Sequence, residues 1–92
     1  MSQGDIYEVL KIEDVSFPRP WPRSQFEKEL ENPFSHSFAA RLDKSEDNAI
    51  VGYIIIWLVA EEAHILNIAV LPDFKKKGIG KKLIQFILDF LA

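Results

Sequence analysis

Between Leu66 and Ile84 the chain runs Leu66-Asn67-Ile68-Ala69-Val70-Leu71-Pro72-Asp73-Phe74-Lys75-Lys76-Lys77-Gly78-Ile79-Gly80-Lys81-Lys82-Leu83-Ile84, an apolar strand leading through a basic, glycine-bearing turn into an apolar helix. This order restricts the fold, because the strand and the helix must bury apolar surface together across a tight turn. The first N–H groups of a helix have no partner within it, and the helix dipole adds partial positive charge there. An anion satisfies both. Gly78 and Gly80 have no Cβ, so the backbone can bend sharply and a phosphate can come close to the amides. Five of the eleven Lys and Arg residues fall between Lys75 and Lys82, although the net charge is −3. The stretch therefore reads as a seat for a polyphosphate-bearing ligand.

Ninety-two residues bound the rest to one domain with a modest core. A hydrophobic fraction of 48% with 27% charged residues is too apolar for a disordered chain. The absence of cysteine removes disulfides, thiolate metal sites and a cysteine nucleophile, and no metal site is expected. It is compatible with a reducing cytosol, and the start Met1-Ser2-Gln3-Gly4-Asp5 does not read as a secretory signal. The longest apolar run, Tyr53 to Ala60, is far shorter than the roughly 20 residues a bilayer needs. The expected location is cytoplasmic, with no membrane partner.

Residues 6–15 place apolar side chains at Ile6, Val9 and Leu10 with helical spacing, and Asp5 with Glu8 resembles a capping box. The competing strand reading, alternating at 6, 8, 10 and 12, would put Glu8 on the apolar face, so helix is favoured. Phe17-Pro18-Arg19-Pro20-Trp21-Pro22 is a stiff aromatic loop, since its prolines remove donors and hold preceding residues extended. Ser24 with Glu27 is expected to cap a second helix with Phe26 and Leu30 on its apolar stripe, stopped at Asn32-Pro33. Residues 35–42 read as a strand, 43–48 as a polar turn, 49–59 as a central strand and 63–71 as a third, with Glu61-Glu62 as a hairpin-like link. Short links between consecutive strands imply an antiparallel meander.

The last helix, from about Gly78 to Leu91, carries Lys81, Lys82, Gln85 and Asp89 on one narrow stripe. Leu83, Ile84, Phe86, Ile87, Leu88, Phe90 and Leu91 cover the rest of its circumference. That pattern requires cover on two sides. With the strand 63–71 also lacking a second neighbour, a homodimer or swapped oligomer is expected.

The glycine turn does not fit the Walker pattern, which needs a glycine where Lys75 stands and a hydroxyl where Lys82 stands. Nor does it fit the dinucleotide fingerprint, which needs a third glycine at Leu83. Asn67-Ile68-Ala69-Val70, Pro72-Asp73-Phe74, and Lys75-x-x-Gly78-Ile79-Gly80-Lys81 instead resemble motif A of the GNAT acyl-coenzyme A N-acetyltransferases, whose pattern is Gln/Arg-x-x-Gly-x-Gly/Ala. Ser16-Phe17-Pro18, Trp21, Glu31-Asn32-Pro33, Val51-Gly52-Tyr53-Ile54 and Ala63-His64-Ile65-Leu66 are similar to the branch that acetylates the N-terminal alanine of a ribosomal protein. The resemblance covers nearly the whole chain.

It implies an α+β arrangement, a partial form of the family's three-layer α/β fold: two N-terminal helices, a three-strand antiparallel meander and a C-terminal cofactor-binding helix, all in one incomplete domain over residues 1–92. It implies acetyl-CoA as cosubstrate. Backbone at Ile68, Ala69 and Val70 would pair with the pantetheine arm and acetyl carbonyl. Amides from Lys76, Lys77, Gly78, Ile79, Gly80 and Lys81 would hold the pyrophosphate, with lysine charge adding attraction that salt screens. Lys75 stands where the family has Gln or Arg, which keeps charge but loses the fork or the acceptor. In the ribosomal branch the base is a Glu on the next strand and the acid a Tyr on the following helix, and residues 1–92 are expected to carry the cofactor-binding half without them. The family's first strand is likewise not matched, because residues 5–17 correspond to its first helix.

No catalytic residue is assigned. His64 could act as a base but reads more simply as a hydrogen-bonded packing residue, Tyr53 as core, and Glu61-Glu62 as a solvated turn. Phe17 and Trp21 line an acceptor peptide groove or plug the core edge. Three functions remain: an acetyltransferase acting on a protein N-terminus, a coenzyme-A-binding module without turnover, and a nucleic-acid contact. Acidity and the lack of aromatics among the lysines argue against the last.

Overall fold

The computed structural model describes residues 1–41 and 49–91. A short 3₁₀ turn, Gln3–Asp5, leads into helix α1 (Ile6–Ser16), followed by α2 (Arg23–Glu31), strands β1 (Ser35–Arg41), β2 (Ile50–Val59) and β3 (Glu62–Val70), a second 3₁₀ turn (Pro72–Lys77) and helix α3 (Ile79–Leu91). The strands form one sheet in the order β1-β2-β3, antiparallel throughout. The expected meander is present; the polar turn expected at 43–48, with Leu42 before it, lies outside the described residues.

β2 organises both faces. Tyr53 and Ile55 pack with Ile6, Val9 and Ile12 of α1 and Phe26 of α2, while Ile54 and Ile56 pack with Leu83 and Ile87 of α3. Alternation along a strand sends neighbouring side chains to opposite faces, so one apolar run serves two helical layers. Full burial of each of these isoleucines stabilises the fold by about 1.5–3 kcal/mol. Gly52 sets the spacing on the α3 face: a Cβ there would lie 3.1 Å from the Ala69 carbonyl oxygen and 3.4 Å from Leu83 Cδ1.

The helix reading of residues 6–15 holds, but its cap differs. The Asp5 carboxylate accepts the Ser2 amide (2.8 Å) and hydroxyl (3.2 Å), capping the 3₁₀ turn, and also pairs with Arg41. Glu8 accepts the Ile50 amide at 2.8 Å. Both carboxylates thus answer to donors elsewhere rather than to α1. The second expected capping box is also absent. α2 starts at Arg23 after an extended Pro22, with no side-chain cap, and Glu27 pairs with Arg23 at 2.9 Å. Pro22 already has the backbone setting that precedes a helix, so the helix opens before Ser24.

The β2–β3 link is Ala60-Glu61, one residue earlier than expected, because Glu62 already pairs with Val59. Ala60 takes the left-handed conformation (φ 57°) that such a short reversal demands. On α3 only Leu83 and Ile87 are buried, whereas Ile84, Phe86, Leu88, Phe90 and Leu91 remain between 42% and 56% exposed. The chain covers one side of this helix, and the two-sided apolar pattern is real. No helix among the described residues is long and apolar enough to cross a membrane.

Candidate cofactor and acceptor clefts

β3 pairs with β2 on one side and forms an edge of the described sheet, leaving alternate backbone groups around Ile68, Ala69 and Val70 open to a ligand. Beyond it the chain does not pass straight into a helix. Pro72–Lys77 winds as a 3₁₀ turn that ends at Gly78 in the left-handed conformation (φ 75°), and only then does α3 begin. The basic, glycine-bearing turn expected between strand and helix is present, and its 3₁₀ winding is the detail the sequence did not specify. The Lys82 amide bonds to the Gly78 carbonyl at 3.1 Å. The amides of Ile79, Gly80 and Lys81 precede that first helical bond and have no partner within α3.

A cleft of about 250 Å³ joins these parts. It is lined by Ser16, Phe17, Ile68, Ala69, Val70, Lys75 and Gly80. Four of the expected cofactor residues, Ile68, Ala69, Val70 and Gly80, therefore share one cavity with Lys75. A Cβ on Gly80 would sit 3.9 Å from Val70 Cγ2, so helix start and strand end meet here. The others lie around it. Lys76 and Lys77 are in the 3₁₀ turn, with Lys77 Nζ 5.0 Å from the Phe74 ring centre. Gly78 is the turn's cap, Lys81 is exposed on the first turn of α3, and Ile79 packs toward the sheet.

A second cleft, about 370 Å³, is lined by Glu13, Phe17, Pro18, Arg19, Trp21 and Asn67, and Phe17 is common to both. At its base Glu13 is 1% exposed. Its carboxylate accepts the Trp21 amide at 2.7 Å, the Asn67 Nδ2 at 2.8 Å and the Tyr53 hydroxyl; Asn67 Nδ2 is also 3.1 Å from Tyr53 Oη. Four segments are tied by one side chain: α1, the loop to α2, β2 and β3. Burial pushes the Tyr53 hydroxyl well above the ordinary tyrosine range, and the hydrogen bond to Glu13 and its charge push the same way. Tyr53 is thus core, as expected, but polar core.

Residue-level reading missed Glu13, Asn67 and Ser16. A signal for Glu13 was present, since it lies seven residues after Ile6 on the buried stripe of α1, where a charge must find partners. Glu29 repeats the pattern three residues after Phe26, accepting Trp57 Nε1 at 2.8 Å. His64 is exposed instead of packed, 3.2 Å from Glu62 and outside both clefts. A third cleft, about 640 Å³, lies between β1 and α3 with Phe38, Val51, Leu83 and Phe86 in its walls. It takes in Ile79 and Lys82 of α3 but neither β3 nor Gly80, and the Asp5 carboxylate stands in its lining, so it is the less suitable seat for a phosphate-bearing ligand.

A sheet carrying helices on both faces, with a glycine turn joining an edge strand to a helix, defines an α+β domain with a candidate anion seat at the strand–helix junction. The model of the acetyltransferase (GNAT) family matches residues 6–92, and the chain belongs to that family. Among relatives, a Bacillus subtilis protein proposed to be a ribosomal protein bS18-alanine N-acetyltransferase is 37% identical over 90 residues, 97% of this chain and 57% of the relative. The fold is similar to the crystal structure of the ribosomal-protein-S18-alanine N-acetyltransferase from Escherichia coli (TM-score 0.85, 24% identity, 99% of this chain and 56% of that one). It is also similar to the PaiA N-acetyltransferase from Thermoplasma acidophilum, solved in complex with coenzyme A (TM-score 0.79, 15% identity, 99% and 68%). The chain spans less than three fifths of the length of the curated relatives it matches.

Proposed function

We propose that this chain binds acetyl-CoA and serves acetyl transfer to a protein N-terminal amine, with the N-terminal alanine of a ribosomal protein as acceptor. The observation that carries the reading is the single cleft that joins the free edge of β3 at Ile68–Val70 to Gly80 and Lys75. In this reading the strand edge holds the acyl arm as an added strand would be held. The opening amides of α3 at Ile79, Gly80 and Lys81, with Gly78 before them, hold the pyrophosphate. Lys75, Lys77, Lys81 and Lys82 are exposed around that point and add attraction that weakens with salt. When bound, acetyl-CoA supplies the thioester that an amine attacks.

The cleft bounded by Phe17, Trp21 and Asn67 is the acceptor side of the same reading, and a ribosomal acceptor sets the place of action in the cytoplasm. A second copy of the chain covering the exposed apolar side of α3 belongs to it as well. Calorimetry with acetyl-CoA at low salt is the test: saturable binding that weakens as salt rises is expected, and no detectable binding would refute the reading.

A coenzyme-A-binding module without turnover is the second reading. It is favoured by the Glu13 carboxylate, which is held by three donors, and by His64, which lies away from both clefts. Acetylation of an alanine-initiated peptide by the purified chain would exclude it.

A further inference from the structure

Two buried side-chain polar atoms among the described residues have no hydrogen-bond partner, Ser16 Oγ and Ser35 Oγ. Buried hydroxyls are nearly always paired, so each such atom calls for an explanation. Ser35 opens β1 and lines none of the three clefts described above. Ser16 differs, because it lines the cleft that holds Ile68, Ala69, Val70, Lys75 and Gly80.

The local structure fixes where this hydroxyl stands. Ser16 is the last residue of α1, and the helix closes behind it through the Phe17 amide, which donates to the Glu13 carbonyl at 3.1 Å. Phe17 is extended (φ −132°, ψ 141°), so the chain leaves the helix abruptly. The Glu13 carboxylate anchors the loop that follows by accepting the Trp21 amide. Ser16 is thereby held at both ends, and its hydroxyl, enclosed in the free chain, has only the χ1 torsion by which to change direction.

The remaining lining narrows the chemistry of a partner. Phe17, Ile68, Ala69 and Val70 are apolar walls, Gly80 offers backbone only, and Lys75 is an exposed cation. Ser16 is the one neutral side-chain donor in the lining. A cavity of about 250 Å³ with apolar walls, one hydroxyl and a free strand edge suits a slender chain carrying carbonyl groups.

We propose that the Ser16 hydroxyl contacts the acyl-pantetheine arm of a coenzyme A thioester, donating a hydrogen bond to one of its carbonyl oxygens across the cleft from β3. This rests on the cofactor reading above and adds a contact from α1 to those of the strand and the glycine turn. An unpaired hydroxyl in the free protein becomes a paired one in the complex. Ser16 is then a ligand-binding residue, and its conformation depends on Glu13.

The test is calorimetric titration of the wild-type chain and Ser16→Ala with three probes: acetyl-CoA, coenzyme A, and the nucleotide half alone, adenosine 3′-phosphate 5′-diphosphate. Ser16→Ala is expected to weaken acetyl-CoA roughly threefold to tenfold, the range of one net hydrogen bond, and to leave the nucleotide half unchanged. An equal loss for coenzyme A assigns the bond to a pantetheine carbonyl, and a loss confined to acetyl-CoA assigns it to the thioester. Equal acetyl-CoA affinity in both proteins, or the same loss for the nucleotide half, would overturn the proposal while leaving the cofactor reading intact. Failure of the wild-type chain to bind acetyl-CoA would refute the cofactor reading and this proposal with it. The thermal midpoint of free Ser16→Ala should match or exceed that of wild type, because no bond is lost; a marked fall would make Ser16 a folding residue and overturn the proposal.

Discussion

The two faces of the sheet are built on different principles. Toward α1 and α2, apolar packing is threaded with directional bonds: Glu13 gathers Tyr53, Asn67 and Trp21, and Glu29 holds Trp57. Toward α3, Ile54, Ile56, Val70, Leu83 and Ile87 meet without a buried charge. The first face specifies the position of a loop, because hydrogen bonds have direction and a buried carboxylate tolerates few arrangements. The second relies on shape and area, and leaves half of its helix uncovered. The first face places the aromatic loop, while the second supplies the helix start at which the proposed anion seat lies.

This contrast predicts unequal sensitivity to substitution. Glu13→Ala has the largest expected effect, since it leaves the Tyr53 hydroxyl, the Asn67 amide and the Trp21 amide without their acceptor. A loss of about 3 kcal/mol or more is expected in chemical denaturation, a large share of the stability of a domain this size. A loss near that of a surface site would erase the distinction between the faces.

The pH dependence of Tyr53 follows next. Its folded pKa is raised by burial and by Glu13, so its contribution is fully present below the ordinary tyrosine value near 10 and declines as pH rises above it. Wild type should lose stability above about pH 10 more steeply than Tyr53→Phe. Identical alkaline slopes for the two proteins would break the link between Tyr53 and Glu13.

The smallest effect on folding is expected at Leu88, 56% exposed on the uncovered side of α3. Leu88→Lys should change stability by about 0.5 kcal/mol or less yet reduce concentration-dependent association in light scattering. A wild-type chain that is monomeric at high concentration would count against a second copy on that face.

Elements that follow from periodicity were legible in the sequence: the stripe of Ile6, Val9 and Leu10, the β-branched run at 50–59, and the apolar circumference of α3. Caps were not, because Asp5, Glu8 and Glu27 found donors in Arg41, Ile50 and Arg23 that are invisible to local pattern matching. At the candidate site the strand residues and Gly80 were legible from one contiguous stretch. The opposite wall, Ser16 and Phe17, comes from a segment about fifty positions earlier. Only the fold brings it there. The Glu13 network was half legible, as a charge on an apolar stripe whose partners the sequence does not name.

The central claim is that the edge of β3 and the start of α3 form the cofactor seat. Titrating the ¹⁵N-labelled chain with coenzyme A while following backbone amide shifts tests it most directly. The account predicts the strongest changes at Ile68–Val70 and Gly78–Lys81, weaker ones at Ser16 and Phe17, and little at Ser35–Ala40. Changes centred on Phe38, Val51 and Phe86 in the cleft between β1 and α3, with residues 68–70 and 78–81 unmoved, would contradict it.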